Sequence, residues 1–128
     1  DPGIKIKWPN DLYLNNQKTA GILIEGISIG QTQLWAVGIG ITFKNINTPN
    51  IMPLGTHWPN ACKREILLDK WINEFFKLLE TTDLTHLFAP YDLLKGKTIA
   101  GGIADGINNQ GELIVKYSDK TITLNRSP

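Results

Sequence analysis

One segment of this 128-residue chain carries a long helical period, and it separates two stretches that read as strands. Between Lys63 and Thr82, Leu67, Trp71, Phe75 and Leu79 recur every four residues, with Leu68, Ile72 and Phe76 beside them. That spacing gathers an apolar stripe and leaves Asp69, Lys70, Asn73, Glu74 and Lys77 largely outside, as in an amphipathic helix lying on something else. With one such helix the chain is not a bundle. The helix needs a sheet to lie on, so the fold class is α+β.

The sheet is written before the helix. Ile4-Lys5-Ile6-Lys7-Trp8 alternates strictly, putting Ile4, Ile6 and Trp8 on one face until Pro9 ends the ladder. Asp11 to Leu14, the polar corner Asn15-Asn16-Gln17 and Thr19 to Ile29 read as a hairpin, with Gly21 as a bulge or a point of close backbone approach. A further corner, Gly30 to Gln33, feeds Leu34 to Phe43, so these strands form an antiparallel meander. Residues 44 to 62 hold Pro49, Pro53 and Pro59 without any period and read as an irregular covering loop, a lid. Beyond the helix, Leu84 to Tyr91 reads as a short helix. Ile99 to Ile107, Glu112 to Tyr117 and Lys120 to Leu124 then form short strands with tight turns. A boundary near residue 95 divides the chain into 1–94 and a small β module, 95–128.

Composition excludes several classes. Thirteen Lys and Arg against twelve Asp and Glu, with no basic run longer than Lys63-Arg64, give no nucleic-acid footprint. The longest apolar stretches, such as Leu34 to Ile41, fall far short of the ~20 residues of a membrane span. Cys62 is the only cysteine, so it makes no internal disulfide, which points to a reducing compartment and hence the cytoplasm. His57, His86 and Cys62 lack metal-ligand spacing and a nucleophile's partner, so no metal site is expected of them. The chain opens Asp1-Pro2-Gly3 without Met and enters a strand by Ile4, as expected of a piece of a longer polypeptide.

The chemistry concentrates between residues 7 and 25. Lys7-Trp8-Pro9-Asn10-Asp11 is followed by a hairpin bearing Lys18-Thr19-Ala20-Gly21-Ile22-Leu23, and later by Gly38-Ile39-Gly40-Ile41. Taken alone, Pro9-Asn10-Asp11 is a turn and Lys18 a solvated hairpin lysine. Together, these segments closely resemble the signature of biotin protein ligases. The resemblance extends to the helix at 63–82 and to residues 96–124, which are similar to that family's SH3-like C-terminal module.

The resemblance implies a catalytic core like that of class II synthetases, an antiparallel or mixed sheet with a packing helix, followed by the SH3-like module. It also implies a two-step reaction. Biotin's carboxylate attacks the α-phosphate of ATP with Mg2+ assisting, giving biotinyl-5'-AMP and pyrophosphate. A lysine of a biotin carboxyl carrier protein, such as that of acetyl-CoA carboxylase, then attacks the mixed anhydride. The first step joins two anions and needs positive charge where they meet; by resemblance Lys18 supplies it. The second needs a neutral amine, although a free lysine has a pKa of ~10.4; Asp11 is the candidate to orient or deprotonate it, while Asn10 holds the adenylate or a metal-bound phosphate. The strands carrying Gly21, Ile22, Gly38, Ile39, Gly40 and Thr42 would line the biotin and adenylate pocket, the glycines letting backbone approach a flat ligand. Trp8 reads as core, Trp35, Trp58 and Trp71 as packing residues, and Lys7 either helps position ATP or acceptor or is an exposed strand lysine.

The sequence departs from the family in three places. Thr42 stands where the family usually has a nucleotide-contacting Asn. The family's Gly-Arg-rich adenylate loop and its biotin-pocket Ser/Thr segment would precede residue 7, and residues 1–6 do not supply them. The β module is short at its first hairpin. Two other readings use the same residues: a lipoate ligase or lipoyl transferase relative, and a noncatalytic module whose small β domain contacts a carrier protein. An exposed edge strand also leaves room for a homodimer.

Overall fold

The computed structural model describes residues 3–44, 48–57 and 64–126. Four strands come first: β1 (Ile4–Lys7), β2 (Asp11–Leu14), β3 (Gln17–Ile29) and β4 (Thr32–Ile41). Helices α1 (Leu54–His57), α2 (Arg64–Leu79) and α3 (Thr85–Phe88) follow, with a 3-10 turn at Ala89–Tyr91. Strands β5 (Thr98–Ile99), β6 (Gly102–Ile107), β7 (Leu113–Lys116) and β8 (Thr121–Leu124) complete the order. Both sets of strands are antiparallel meanders, β1-β2-β3-β4 and β5-β6-β7-β8, so the α+β reading holds. The expected helix ends at Leu79 rather than Thr82, where Glu80 and Thr81 close a turn onto Lys77 and Leu78.

The first hairpin forms where its sequence dictates. Leu14 pairs with Gln17, leaving a two-residue loop in which Asn15 (φ 49°) and Asn16 (φ 64°) are both left-handed, a conformation asparagine tolerates and such a turn requires. The long β3–β4 hairpin keeps register from Ala20↔Ile41 to Ile29↔Thr32.

Two expectations need correction. The first concerns the covering loop. Over residues 48–57 it is not free of structure, because it docks against the sheet and ends in α1. Ile51 bridges Lys18 in parallel, and Leu54 N and Gly55 N donate to the carbonyls of Thr42 and Phe43. Backbone donors in that segment thus find partners that no local pattern announced. Trp58, Cys62 and the side chain of His57 lie outside the described residues.

The second correction concerns the tryptophans. Trp8 is core as expected, but it stands one residue past the end of β1 and the core it joins is that of the other sheet. There it packs with Leu94, Ala104, Leu113 and Val115. Trp71 stacks on Phe75 at 5.3 Å between ring centroids. Trp35 packs across the backbone of Gly26 while remaining 62% exposed.

The helix α2 faces the sheet across a cavity of about 440 Å³. Sheet residues Ile22, Ile39 and Ile41 line one wall, and Leu67 and Trp71 the other. Thr19 also faces this cavity, 5% exposed, with a hydroxyl that finds no partner among the described residues. Leu68, Ile72, Phe76 and Leu79, expected to be covered with the stripe, remain exposed.

Candidate active site

A regular strand would put Lys18 and Gly21 on opposite faces, because side chains three residues apart point to opposite sides. Strand β3 is not regular there. Asp11 pairs with Gly21 and Leu12 with Ala20, but Tyr13 pairs with Lys18, so Thr19 is an extra residue in a bulge. Of the two readings of Gly21, a bulge or a close backbone approach, the structure bears out the approach, and the bulge falls two residues earlier. Its effect is to return Lys18 to the face shared by Asp11 and Gly21.

On that face the Lys18 ammonium lies 2.5 Å from Asp11 Oδ1, with the two side chains 43% and 23% exposed. A methyl group on Gly21 would come within 3.2 Å of Asp11 Oδ1 and 3.4 Å of Lys18 Nζ. The ion pair therefore rests on bare backbone, and glycine is what permits the approach. Gly40 stands opposite Gly21, and Gly38 opposite Leu23. Methyl groups on Gly38 and Gly40 would meet only single carbonyl oxygens, at 3.8 and 4.0 Å. Three glycines thus form an open floor beside a paired cation and carboxylate.

The other expected residues support this floor. Asn10 straps β2 to β3: its side-chain Nδ2 donates to Ile22 O at 2.7 Å, and its carbonyl accepts from Ile22 N at 2.8 Å. The side chains of Ile22 and Ile39 line the cavity on the opposite face, so toward the glycine floor they offer backbone. Thr42 lies just past β4, donating through its N–H to Thr19 O and accepting from Leu54 N. Lys7 is exposed, its ammonium 5.8 Å from the centre of the Tyr13 ring.

Sequence reasoning missed the segment that holds Lys18 from behind. Lys18 N donates to Asn50 O at 3.0 Å, and Met52 N donates to Lys18 O at 2.9 Å. No motif marks Asn50 to Met52, since any residue offers these backbone groups. A second cavity of about 210 Å³ lies away from the site, with His86, Asp92, Lys95 and Asp105 in its wall. Lys116 donates to Asp105 and holds its carboxyl below the ordinary value of 3.8. Among the described residues there is no group of three or more His, Cys, Asp or Glu able to hold a metal, and no helix long and apolar enough to cross a membrane.

A lysine and a carboxylate over a glycine floor, on an antiparallel sheet, is an arrangement suited to joining an acid to a phosphate. Residues 2–42 match the model of the Biotin/lipoate A/B protein ligase family. Within that class the similarity is to biotin protein ligases. The biotin-(acetyl-CoA-carboxylase) ligase of Paracoccus denitrificans is 30% identical over 137 residues, which cover 88% of this chain and 57% of that protein. Biotin-protein ligase 2 of Arabidopsis thaliana is 28% identical over 119 residues, covering 93% of this chain and 28% of the relative. The structure of a biotin protein ligase from Aquifex aeolicus, in complex with biotin and ATP, superposes with a TM-score of 0.72 at 21% identity, over 97% of this chain and 60% of that one. The chain is similar to the biotin protein ligases and shares the fold of their solved structures, and it spans between 28% and 57% of the length of these two curated relatives.

Proposed function

We propose that this chain forms the lysine-bearing wall of a site that attaches biotin to a lysine of a carrier protein through biotinyl-5'-AMP. The observation that carries the reading is the Lys18–Asp11 pair set over the floor of Gly21, Gly38 and Gly40. Its support is the similarity to biotin ligases along most of the chain. In this reading residues 1–94 contribute to the catalytic domain and 95–128 form an SH3-like module.

In the first step the carboxylate oxygen of biotin bonds to the α-phosphorus of ATP, and pyrophosphate leaves. Lys18 is a compact cation with three N–H donors. It offsets the repulsion between the two anions and the charge that builds on the phosphate in the transition state. The glycine floor lets the ligand lie against backbone amides and carbonyls. In the second step the carrier's amine nitrogen bonds to the acyl carbon, AMP leaves, and Asp11 takes or steers the amine proton. Among the described residues no group of three or more acidic, histidine or cysteine side chains makes a protein cage for a divalent ion. The donor set near the site fits a magnesium ion carried chiefly on the nucleotide's phosphates, with Asp11 and Asn10 as the nearby oxygen donors; that ion would supply added charge neutralisation.

The test is pyrophosphate exchange by the full-length protein, with biotin and with lipoate in parallel. Exchange dependent on biotin is expected, and exchange with lipoate alone would overturn the choice of substrate. Asp11→Asn separates the two steps: it should keep adenylate formation and lose acceptor transfer, and normal transfer would remove Asp11 as the base.

A further inference from the structure

Two residues before Asn10 and three before Asp11, the chain enters the core of the other sheet. Trp8 is 6% exposed and packs with Leu94, Ala104, Leu113 and Val115, of which Leu113 and Val115 are fully buried. Its indole Nε1 donates to the carbonyl of Gly111 at 2.8 Å, across 103 residues of sequence.

The acceptor is itself held in place. Gly111 (φ 77°) ends a turn in which Asn108 Oδ1 accepts from Gln110 N at 3.0 Å and Glu112 N at 2.9 Å, while Gly111 N donates to Asn108 O. On the way into the site, Leu93 N donates to Ile6 O and Lys5 Nζ to Pro90 O, each within 3 Å. On the way out, Asn10 is bonded twice to Ile22, and Asp11 meets Lys18. The turn at residues 8–10, which leads into the candidate catalytic carboxylate at the start of β2, is thus fastened at one end to β3 and at the other to the β5–β8 sheet.

We infer that Trp8 is a positioning residue. Through the Gly111 carbonyl and the β6–β7 core, the C-terminal sheet sets where Asn10 and Asp11 stand relative to Lys18. The catalytic consequence rests on the proposed ligase reading; the mechanical claim does not. Geometry of this kind matters because misplacement of a reacting group by a fraction of an ångström lowers rate without necessarily lowering affinity.

The experiment compares Trp8→Phe, which keeps an aromatic ring but loses the donor, with Asn108→Ala, which loosens the acceptor turn and leaves Trp8 intact. Both are made in the full-length protein. Amide hydrogen exchange at Ile22, whose N–H is bonded to Asn10, is measured against exchange at Val115. Each variant should speed exchange at Ile22 about fivefold more than at Val115, the equivalent of one neutral hydrogen bond. In the biotin-transfer assay, kcat should fall while KM for biotin and for ATP stays within about twofold. Equal acceleration at both amides, or none at Ile22, in both variants would overturn the inference, since the effect would then be general stability or nothing. Absence of biotin-dependent turnover in the unaltered protein would sink the ligase reading, and the amide comparison would still decide whether Trp8 positions the turn.

Discussion

The two sheets have the same topology and opposite packing. The small sheet has strands of two to six residues, yet it encloses Ala104, Leu113 and Val115 almost completely. The large sheet, with strands of up to thirteen residues, buries Leu14, Thr19 and Ala20 and leaves Ile24, Ile27, Ile29, Leu34 and Trp35 exposed along its long hairpin. The candidate site residues Asp11, Lys18, Gly21, Gly38 and Gly40 belong to the large sheet. A site on the less enclosed sheet takes its rigidity from particular bonds: the bulge at Thr19, the Asn10–Ile22 strap, the Asn50–Met52 clamp and the Trp8 anchor. Stability and function are therefore expected to respond to different substitutions.

The sharpest separation comes from Lys18→Ala. It should lower the rate of adenylate formation by ~10²- to 10³-fold, the loss usual for a group that stabilises transition-state charge. The midpoint of thermal unfolding should barely move, because the pair is partly exposed and such pairs contribute little to stability. A large fall in the midpoint would mean that the lysine is structural.

Leu113→Ala tests the other side of the contrast. Removing a fully buried leucine should cost about 3 kcal/mol in denaturant unfolding, whereas Ile27→Ala on the exposed hairpin should stay within about 0.5 kcal/mol. Equal costs would show that the hairpin's apolar surface is covered in solution.

A subtler probe is Gly40→Ala. A methyl group there meets nothing closer than a carbonyl oxygen at 4.0 Å, so folding should be unchanged or slightly improved. The added group stands on the open floor, and calorimetric affinity for the adenylate should drop about tenfold, ~1.4 kcal/mol. Unaltered affinity would remove β4 from the ligand site.

The smallest effect belongs to Asp105. Lys116 holds its carboxyl below the ordinary value of 3.8, so the stabilisation is present above that value and disappears as the pH falls through the lowered one. Asp105→Asn should therefore lower the unfolding midpoint slightly at pH 7, with the difference from the parent vanishing in acid. A difference that grew in acid would have the wrong sign.

Much of this was legible in local pattern. Alternation at Ile4 to Lys7, the Asn15-Asn16 corner and the four-residue period of Leu67 to Leu79 each reflect a preference expressed within a few residues, so the elements lie close to where the sequence places them. Glycines at 21, 38 and 40 could also be read as an approach surface, because a missing Cβ has the same meaning in any strand. The bulge was visible only as an irregularity, and its position depended on which residue of β2 each residue of β3 would meet. The clamp at Asn50 to Met52 was not legible at all, since it uses only backbone groups that every residue carries.

The sequence by itself determined the chemistry on offer: a lysine, an aspartate and three glycines in segments that resemble the biotin ligase signature, within an α+β order of strands and one long helix. Only the tertiary structure decided that this chemistry meets on one face. Bringing Lys18 to Asp11 takes an unpaired residue in a ladder, and holding Asp11 takes an indole seated against a carbonyl 103 positions away. Local preference acts over a turn or a strand, whereas register and burial depend on residues that the chain brings together only on folding.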